Sequence, residues 1–236
     1  MPRGWSDLGL QLAIWFGFLI VYEVARGVAD RNAEAAFANG LKVIDIEQHA
    51  AGLYEQTLQR LIDSSHTLTR LASWTYWLSE FAGVGLALLW VYLRRHDWFN
   101  RFRNTIIVAN LIGLVGYVLL PTAPPRMFPG FDDTLAQLGG LNHGSGLIEI
   151  ASNPYAAMPS LHAADALIVG IVLVAISRRW WTRALFALWP AWVWFCVMAT
   201  GNHFWLDVVA GVAVALVALV LVYGRRLERL RPTPAV

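Results

Sequence analysis

His203 and Asp207 stand four residues apart in "HFWLD", so a helix places them on one face. A carboxylate there can accept from a histidine Nδ1–H. That fixes the tautomer and leaves the Nε2 lone pair outward, as a base or a nucleophile. A purely structural hydrogen bond uses the same two residues, so the pair alone does not decide. A second group lies in "NPYAAMPSLHAAD", residues 153 to 165. Pro159-Ser160 opens a helix, and free N–H groups with a hydroxyl at a helix start form an anion site. A serine there also serves as an ordinary N-cap. His162, two residues on, can give a proton to a leaving group, or can be a core histidine. The third part is Arg126 in "APPR". This stiff stretch can hold a guanidinium in place, and a guanidinium suits phosphate because it is planar, always charged and bidentate. An arginine reaching to lipid headgroups is the competing role. Together the residues suit phosphoryl transfer, which needs in-line attack, neutralised oxygens and a protonated leaving oxygen.

The elements that must position these residues are apolar runs. Six approach the ~20 residues that cross a bilayer: Leu8 to Val28, Leu71 to Leu93, Thr105 to Leu120, Ser160 to Ile176, Ala184 to Thr200 and Phe204 to Tyr223. The third and fourth are short, and Pro190 is expected to kink the fifth. The runs are too long for strands and do not alternate. The expected fold is all-α, a six-transmembrane-helix bundle forming one domain over 1–236, with catalytic motifs within 121–207. The first connection carries Ile46, Ala50, Leu53, Leu58, Leu61 and Ile62 at roughly helical spacing. Residues 29–70 therefore read as an amphipathic helical segment at the outer interface, and 231–236 as a disordered tail. Arg3 precedes a run as long as a full span with no small-x-small cleavage site after it, so the first helix is expected to be retained.

Composition agrees with a membrane chain. Only 14% of residues are charged, against about a quarter in soluble domains, and mean hydropathy is +0.50. The net charge of +2 is too small to suggest nucleic acid, and the lone Cys196 excludes an internal disulfide. With the N-terminus inside, the cytoplasmic pieces hold Arg3, Arg94, Arg95, Arg101, Arg103, Arg178, Arg179, Arg183, Arg225, Arg226, Arg229 and Arg231, which is 12 of 18 basic residues. The outer pieces hold Arg26, Arg31, Lys42, Arg60, Arg70 and Arg126, diluted by acids. Both termini are thus oriented to the cytoplasm. That places "PTAPPRMFP", "NPYAAMPSLHAAD" and "ATGNHFWLD" on one outer face, where ionisable residues are costly and functional by default.

At "APPR", "PSLH" and "HFWLD" the sequence resembles the type 2 phosphatidic acid phosphatase superfamily. It is most similar to the branch with inositol phosphorylceramide synthases and bacterial membrane phosphatases. With their spans, the three blocks cover roughly residues 105 to 223. The resemblance implies a metal-independent enzyme of the plasma membrane, with no cofactor and an extracytoplasmic active site acting on a lipid phosphate. His203 matches the nucleophile that becomes phosphohistidine, and Asp207 its orienting carboxylate. His162 matches the acid, and Ser160 and Arg126 match phosphate ligands. Water resolving the phosphohistidine makes a phosphatase, the favoured class label. A polyol acceptor such as inositol makes a phosphotransferase. Two phosphate-binding cations of the wider superfamily are missing, at the positions of Leu119 and Val197.

His143 and Asn153 are possible helpers at the phosphate. Asp165, three residues past His162, could raise its basicity, bind a polyol headgroup or simply favour the helix N-terminus. Glu80 has no local partner and could pair with Arg126, sit at the cleft or form a structural ion pair. Glu23 is expected to pair structurally with Arg26 or Arg70. Three rivals remain. A transporter would place polar residues at the midplane. A serine protease needs a glycine-flanked nucleophile, unlike Ser160. A metal hydrolase would use His162, His203 and Asp207 as ligands.

Overall fold

The computed structural model describes residues 2–28, 32–137 and 153–228. Among these residues the chain is all-helical, with a single isolated bridge between Thr122 and Ala156. The helices are α1 (Gly4–Val28), α2 (Ala33–Ala50), α3 (Tyr54–Asp63), α4 (His66–Leu78), α5 (Val84–Arg94), α6 (His96–Leu119), α7 (Thr134–Gln137), α8 (Leu161–Ile176), α9 (Trp180–Ala199) and α10 (Trp205–Glu228). A π turn, Ser79–Gly83, joins α4 to α5, and a 3₁₀ turn, Pro125–Met127, holds the arginine of "APPR".

Five helical stretches are long and apolar enough to cross a membrane: Gly4–Gly27, His66–Arg94, His96–Leu119, Trp180–Ala199 and Trp205–Gly224. The chain is a multi-pass membrane protein. The third stretch is not short, because Asp97, Arg101 and Arg103 carry its helix beyond the apolar run. Pro190 lies inside α9, which runs unbroken from Trp180 to Ala199. The short helix is α8, with 16 residues, or about 24 Å at 1.5 Å per residue against a hydrocarbon core of ~30 Å. It packs against α5, the π turn, α6, α9 and α10, and 12 of its residues are buried. A helix enclosed by protein has no lipid thickness to match. Its small residues Ala163, Ala164 and Ala166 are buried and let neighbours approach closely, which is how helices gain packing energy in lipid.

The segment between the first two spans forms α2 and α3, as its periodicity suggested, but the packed face is not the apolar one. Ile46 and Leu61 are exposed, whereas Glu47, Glu55 and Gln59 are buried together with Ile62. The physical reason lies at the start of α10, where the Glu55 carboxylate accepts from the Trp205 N–H at 2.6 Å and the Glu47 carboxylate from the Leu206 N–H at 2.8 Å. A helix start leaves its first N–H groups without backbone partners, and two acids from the segment between the first two spans supply them.

The three polar stretches are tied to one another through the backbone. Thr122 N–H donates to Tyr155 C=O at 2.7 Å, Arg126 N–H to Gly201 C=O at 2.9 Å and Ser160 N–H to Asp207 C=O at 3.0 Å. Gly201 adopts φ +71, a left-handed conformation that favours glycine. Gly211 on α10 lies directly against the Ser160 carbonyl, so a side chain there would push the two helices apart.

Candidate active site

His203 precedes α10 and is buried. Its Nδ1 stands 2.9 Å from the Ala157 carbonyl oxygen. A carbonyl can only accept, so Nδ1 carries the hydrogen and Nε2 keeps its lone pair. Asp207 is adjacent, with Oδ2 at 3.6 Å from Nδ1, but that oxygen accepts from the Phe204 N–H at 2.8 Å. The expected orienting bond from Asp207 is thus made by a backbone carbonyl, and Asp207 caps the turn that carries the histidine while placing negative charge beside it. Its Oδ1 is buried without a hydrogen-bond partner among the described residues.

His162 lies in the first turn of α8, and its ring centroid is 5.7 Å from that of His203. Tyr76 of α4 stacks on it at 4.4 Å with an interplanar angle of 17°. The carboxylate facing it comes from Glu80, whose Oε2 is 3.2 Å from His162 Nε2. Glu80 sits in the π turn, an irregularity of a kind frequent at functional sites. Of the alternatives open for Glu80 from the sequence, the place at the cleft is the one observed: it lines the pocket described below and pairs with His162, while no ion pair with Arg126 is found among the described residues. Asp165, the nearer acid in sequence, turns away, and both its oxygens accept from Asn110 Nδ2 of α6 at 3.1 Å. The three-residue step along α8 rotates Asp165 from the histidine face towards α6.

Arg126 is held from several sides. Its backbone N–H bonds Gly201, its Nη1 donates to Asn202 Oδ1, and its Nε lies 3.8 Å from Asp133 Oδ2. Asn202 in turn donates to Thr200 Oγ1 at 2.9 Å. The Ser160 hydroxyl is the N-cap of α8, accepting from Ala163 N–H at 3.3 Å. Ser160 is fully buried and does not line the pocket described next.

One pocket is lined by His162, His203, Arg126, Glu80, Asn153 and Asn202, with Arg26, Tyr76 and Tyr117 completing its polar wall. Asn153 Oδ1 accepts from Tyr155 N–H at 2.9 Å, and its buried Nδ2 has no hydrogen-bond partner among the described residues. His143 lies outside the described residues. Among those described, no group of three or more His, Cys, Asp or Glu side chains is arranged to hold a metal ion.

The model of the PAP2 superfamily matches residues 41–221, from α2 to the last span. The chain belongs to the PAP2 superfamily. This PAP2 chain is similar to a phosphoinositol dihydroceramide synthase from Bacteroides thetaiotaomicron, at 29% identity over 207 residues, covering 74% of this chain and 67% of that protein. Its fold is similar to that in the crystal structure of Aquifex aeolicus LpxE, with a TM-score of 0.52 and 16% identity over 71% of this chain and 93% of that one.

The two positions where this PAP2 chain lacks a superfamily cation are now placed. Leu119 is 76% exposed and Val197 is fully buried among apolar residues. Four polar pocket residues, Arg26, Tyr76, Tyr117 and Asn202, escaped the sequence reading of the site. Asn202 adjoins His203 but carries no charge, and only its contact with Arg126 marks it. Arg26 was grouped with the outer-loop cations, and Glu23 lies 3.7 Å from it, one of the two partners foreseen for that acid.

Outside the pocket, burial and the neighbouring Glu55 carboxylate push the Glu47 carboxyl up to about 8, and burial also raises Glu55.

Proposed function

We propose that the chain is a membrane enzyme acting on a lipid phosphate ester through a phosphohistidine at His203. The observation that carries this reading is the facing pair His162 and His203, 5.7 Å apart between ring centroids, in a pocket that also holds Arg126. The His203 Nε2 lone pair attacks phosphorus, the bond from phosphorus to the leaving oxygen breaks, and that oxygen takes the proton from His162. An incoming hydroxyl then attacks the phosphohistidine and returns its proton to His162, restoring both residues. Arg126 neutralises the phosphoryl oxygens, with Asn153 Nδ2 as a neutral donor. Ser160 acts through α8, as the cap that fixes the turn carrying His162. In lipid terms, six segments cross the membrane, the sixth being α8. Both termini face the cytoplasm and the pocket opens at the outer face of the plasma membrane. The exposed apolar residues Leu41, Ile46, Tyr54 and Leu61 of α2 and α3 suit an outer interface.

Water as the acceptor gives a phosphatase. Similarity to the phosphoinositol dihydroceramide synthase favours a second reading, in which an alcohol accepts and a phospho-headgroup is transferred. Purified protein offered a panel of lipid phosphates, with and without inositol and a dihydroceramide, separates the two. Free phosphate supports hydrolysis, and a new phosphodiester supports transfer. His203→Ala should abolish either product, and wild-type turnover by that variant would reject the mechanism.

A further inference from the structure

The pocket holds a second guanidinium. Arg26 reaches it from the last turn of α1, although α1 contributes no residue to the three motif stretches. Only 17% of its side chain is accessible. Its Nε is buried without a hydrogen-bond partner among the described residues, and its ion pair with Glu23 is long at 3.7 Å. Its Cζ lies 6.0 Å from the centroid of the Tyr117 ring, also on the pocket wall. A guanidinium remains charged in any protein environment. Taking one out of water without meeting its donors costs several kcal/mol. A structural arginine at this place would satisfy such a donor with a carboxylate or carbonyl, whereas here Nε has no hydrogen-bond partner among the described residues and the side chain lines a pocket that already contains Arg126.

We propose that Arg26 is a phosphate ligand, supplying from the first span a positive charge that Leu119 and Val197 do not. The inference rests on the reading that this pocket receives the phosphate of the substrate. The bound group is then gripped from two elements, by Arg126 on the loop after α6 and by Arg26 on α1. Binding ties α1 more firmly to the bundle, where among the described residues it packs mainly on α6. The recognised chemistry is the anionic non-bridging oxygens of a phosphate ester, which a planar fork engages two at a time.

The test uses the full chain in detergent. Phenylglyoxal modification of each arginine is followed by mass spectrometry, with and without inorganic phosphate or orthovanadate. Protection of both Arg26 and Arg126 is the expected result. Protection of Arg126 alone, with Arg26 modified at the same rate or not at all in both conditions, overturns the role of Arg26 and leaves the phosphate pocket standing. Protection of neither overturns the pocket reading as well. In parallel, Arg26→Gln should raise KM for the lipid phosphate roughly ten- to a hundredfold, the scale of lost charged hydrogen bonds. Arg26→Lys should recover part of that loss through its charge alone. An unchanged KM in a folded Arg26→Gln protein contradicts the proposal, and the wild-type protection experiment decides if that variant does not fold.

Discussion

Glu55 of α3 and Trp205 at the start of α10 are 150 positions apart in sequence, yet the Glu55 carboxylate accepts from the Trp205 backbone N–H at 2.6 Å. The segment between the first two spans thereby holds the helix on which Asp207 sits and which His203 shortly precedes. Glu55→Ala should leave that buried N–H unpaired and cost about 1–3 kcal/mol of stability, while lowering kcat more than it changes KM. Glu55→Gln keeps an acceptor and should lie between. Thermal unfolding and steady-state kinetics in the same detergent check both effects.

The same clamp should respond to pH. The Glu47 carboxyl is raised from 4.5 to about 8 by burial and by Glu55. Folding therefore favours its protonated form. Its contribution is fully present below the unfolded value of 4.5 and is lost as pH rises through the folded value of about 8. Unfolding followed between about pH 5 and about pH 9 should show stability falling with pH by a few kcal/mol at most. Glu47→Gln should flatten the slope. A slope unchanged in that variant contradicts the assignment.

Glu80 should matter through His162, which it faces at 3.2 Å. His162→Ala should cost roughly 10²–10⁴-fold in kcat, the usual worth of a positioned acid. Glu80→Gln should cost less and should shift the alkaline limb of the pH–rate profile, where the acid His162 loses its proton, while Asp165→Asn should leave that limb in place because Asp165 is committed to Asn110. Equal shifts from Glu80→Gln and Asp165→Asn contradict this division of roles.

Much of the architecture was legible in local pattern, and what was missed is non-local. The Pro159-Ser160 helix start is a short-range feature and is found where the sequence puts it, whereas His203 and Asp207 are neighbours as their spacing suggests but His203 lies before α10 instead of on its face. Glu80 gave no such clue, because the chain segments carrying it and His162 meet only in the folded bundle. Proximity in sequence pointed to Asp165 as the partner of His162, but one helical step turned it to α6. In α2 and α3 the periodicity revealed helices but not that Glu47 and Glu55 lie on their packed face. Burying Glu47 and Glu55 is favourable only because unpaired N–H groups of α10 await them, and no local pattern records that. The length of α8 follows the same logic, since a helix enclosed by others escapes the rule that sets span length.

Asn202 should tune the phosphate site through Arg126, whose Nη1 donates to its side-chain oxygen. Asn202→Ala frees the guanidinium and should raise KM roughly tenfold, the scale of one charged hydrogen bond, with a smaller change in kcat. Asn202→Asp adds a carboxylate to the same contact and should weaken phosphate affinity further by repulsion. Inhibition constants for inorganic phosphate, measured on the three proteins, give the order directly.

The most direct test of His203 as the attacking group is stereochemical. A lipid phosphorothioate ester made chiral at phosphorus with two oxygen isotopes is turned over in water carrying the third, and the configuration of the product is read by NMR. Two successive in-line displacements, first by His203 and then by the acceptor, give overall retention, which is the expected result. Inversion would mean that the acceptor attacks the lipid phosphate directly, and it would contradict a phosphohistidine at His203.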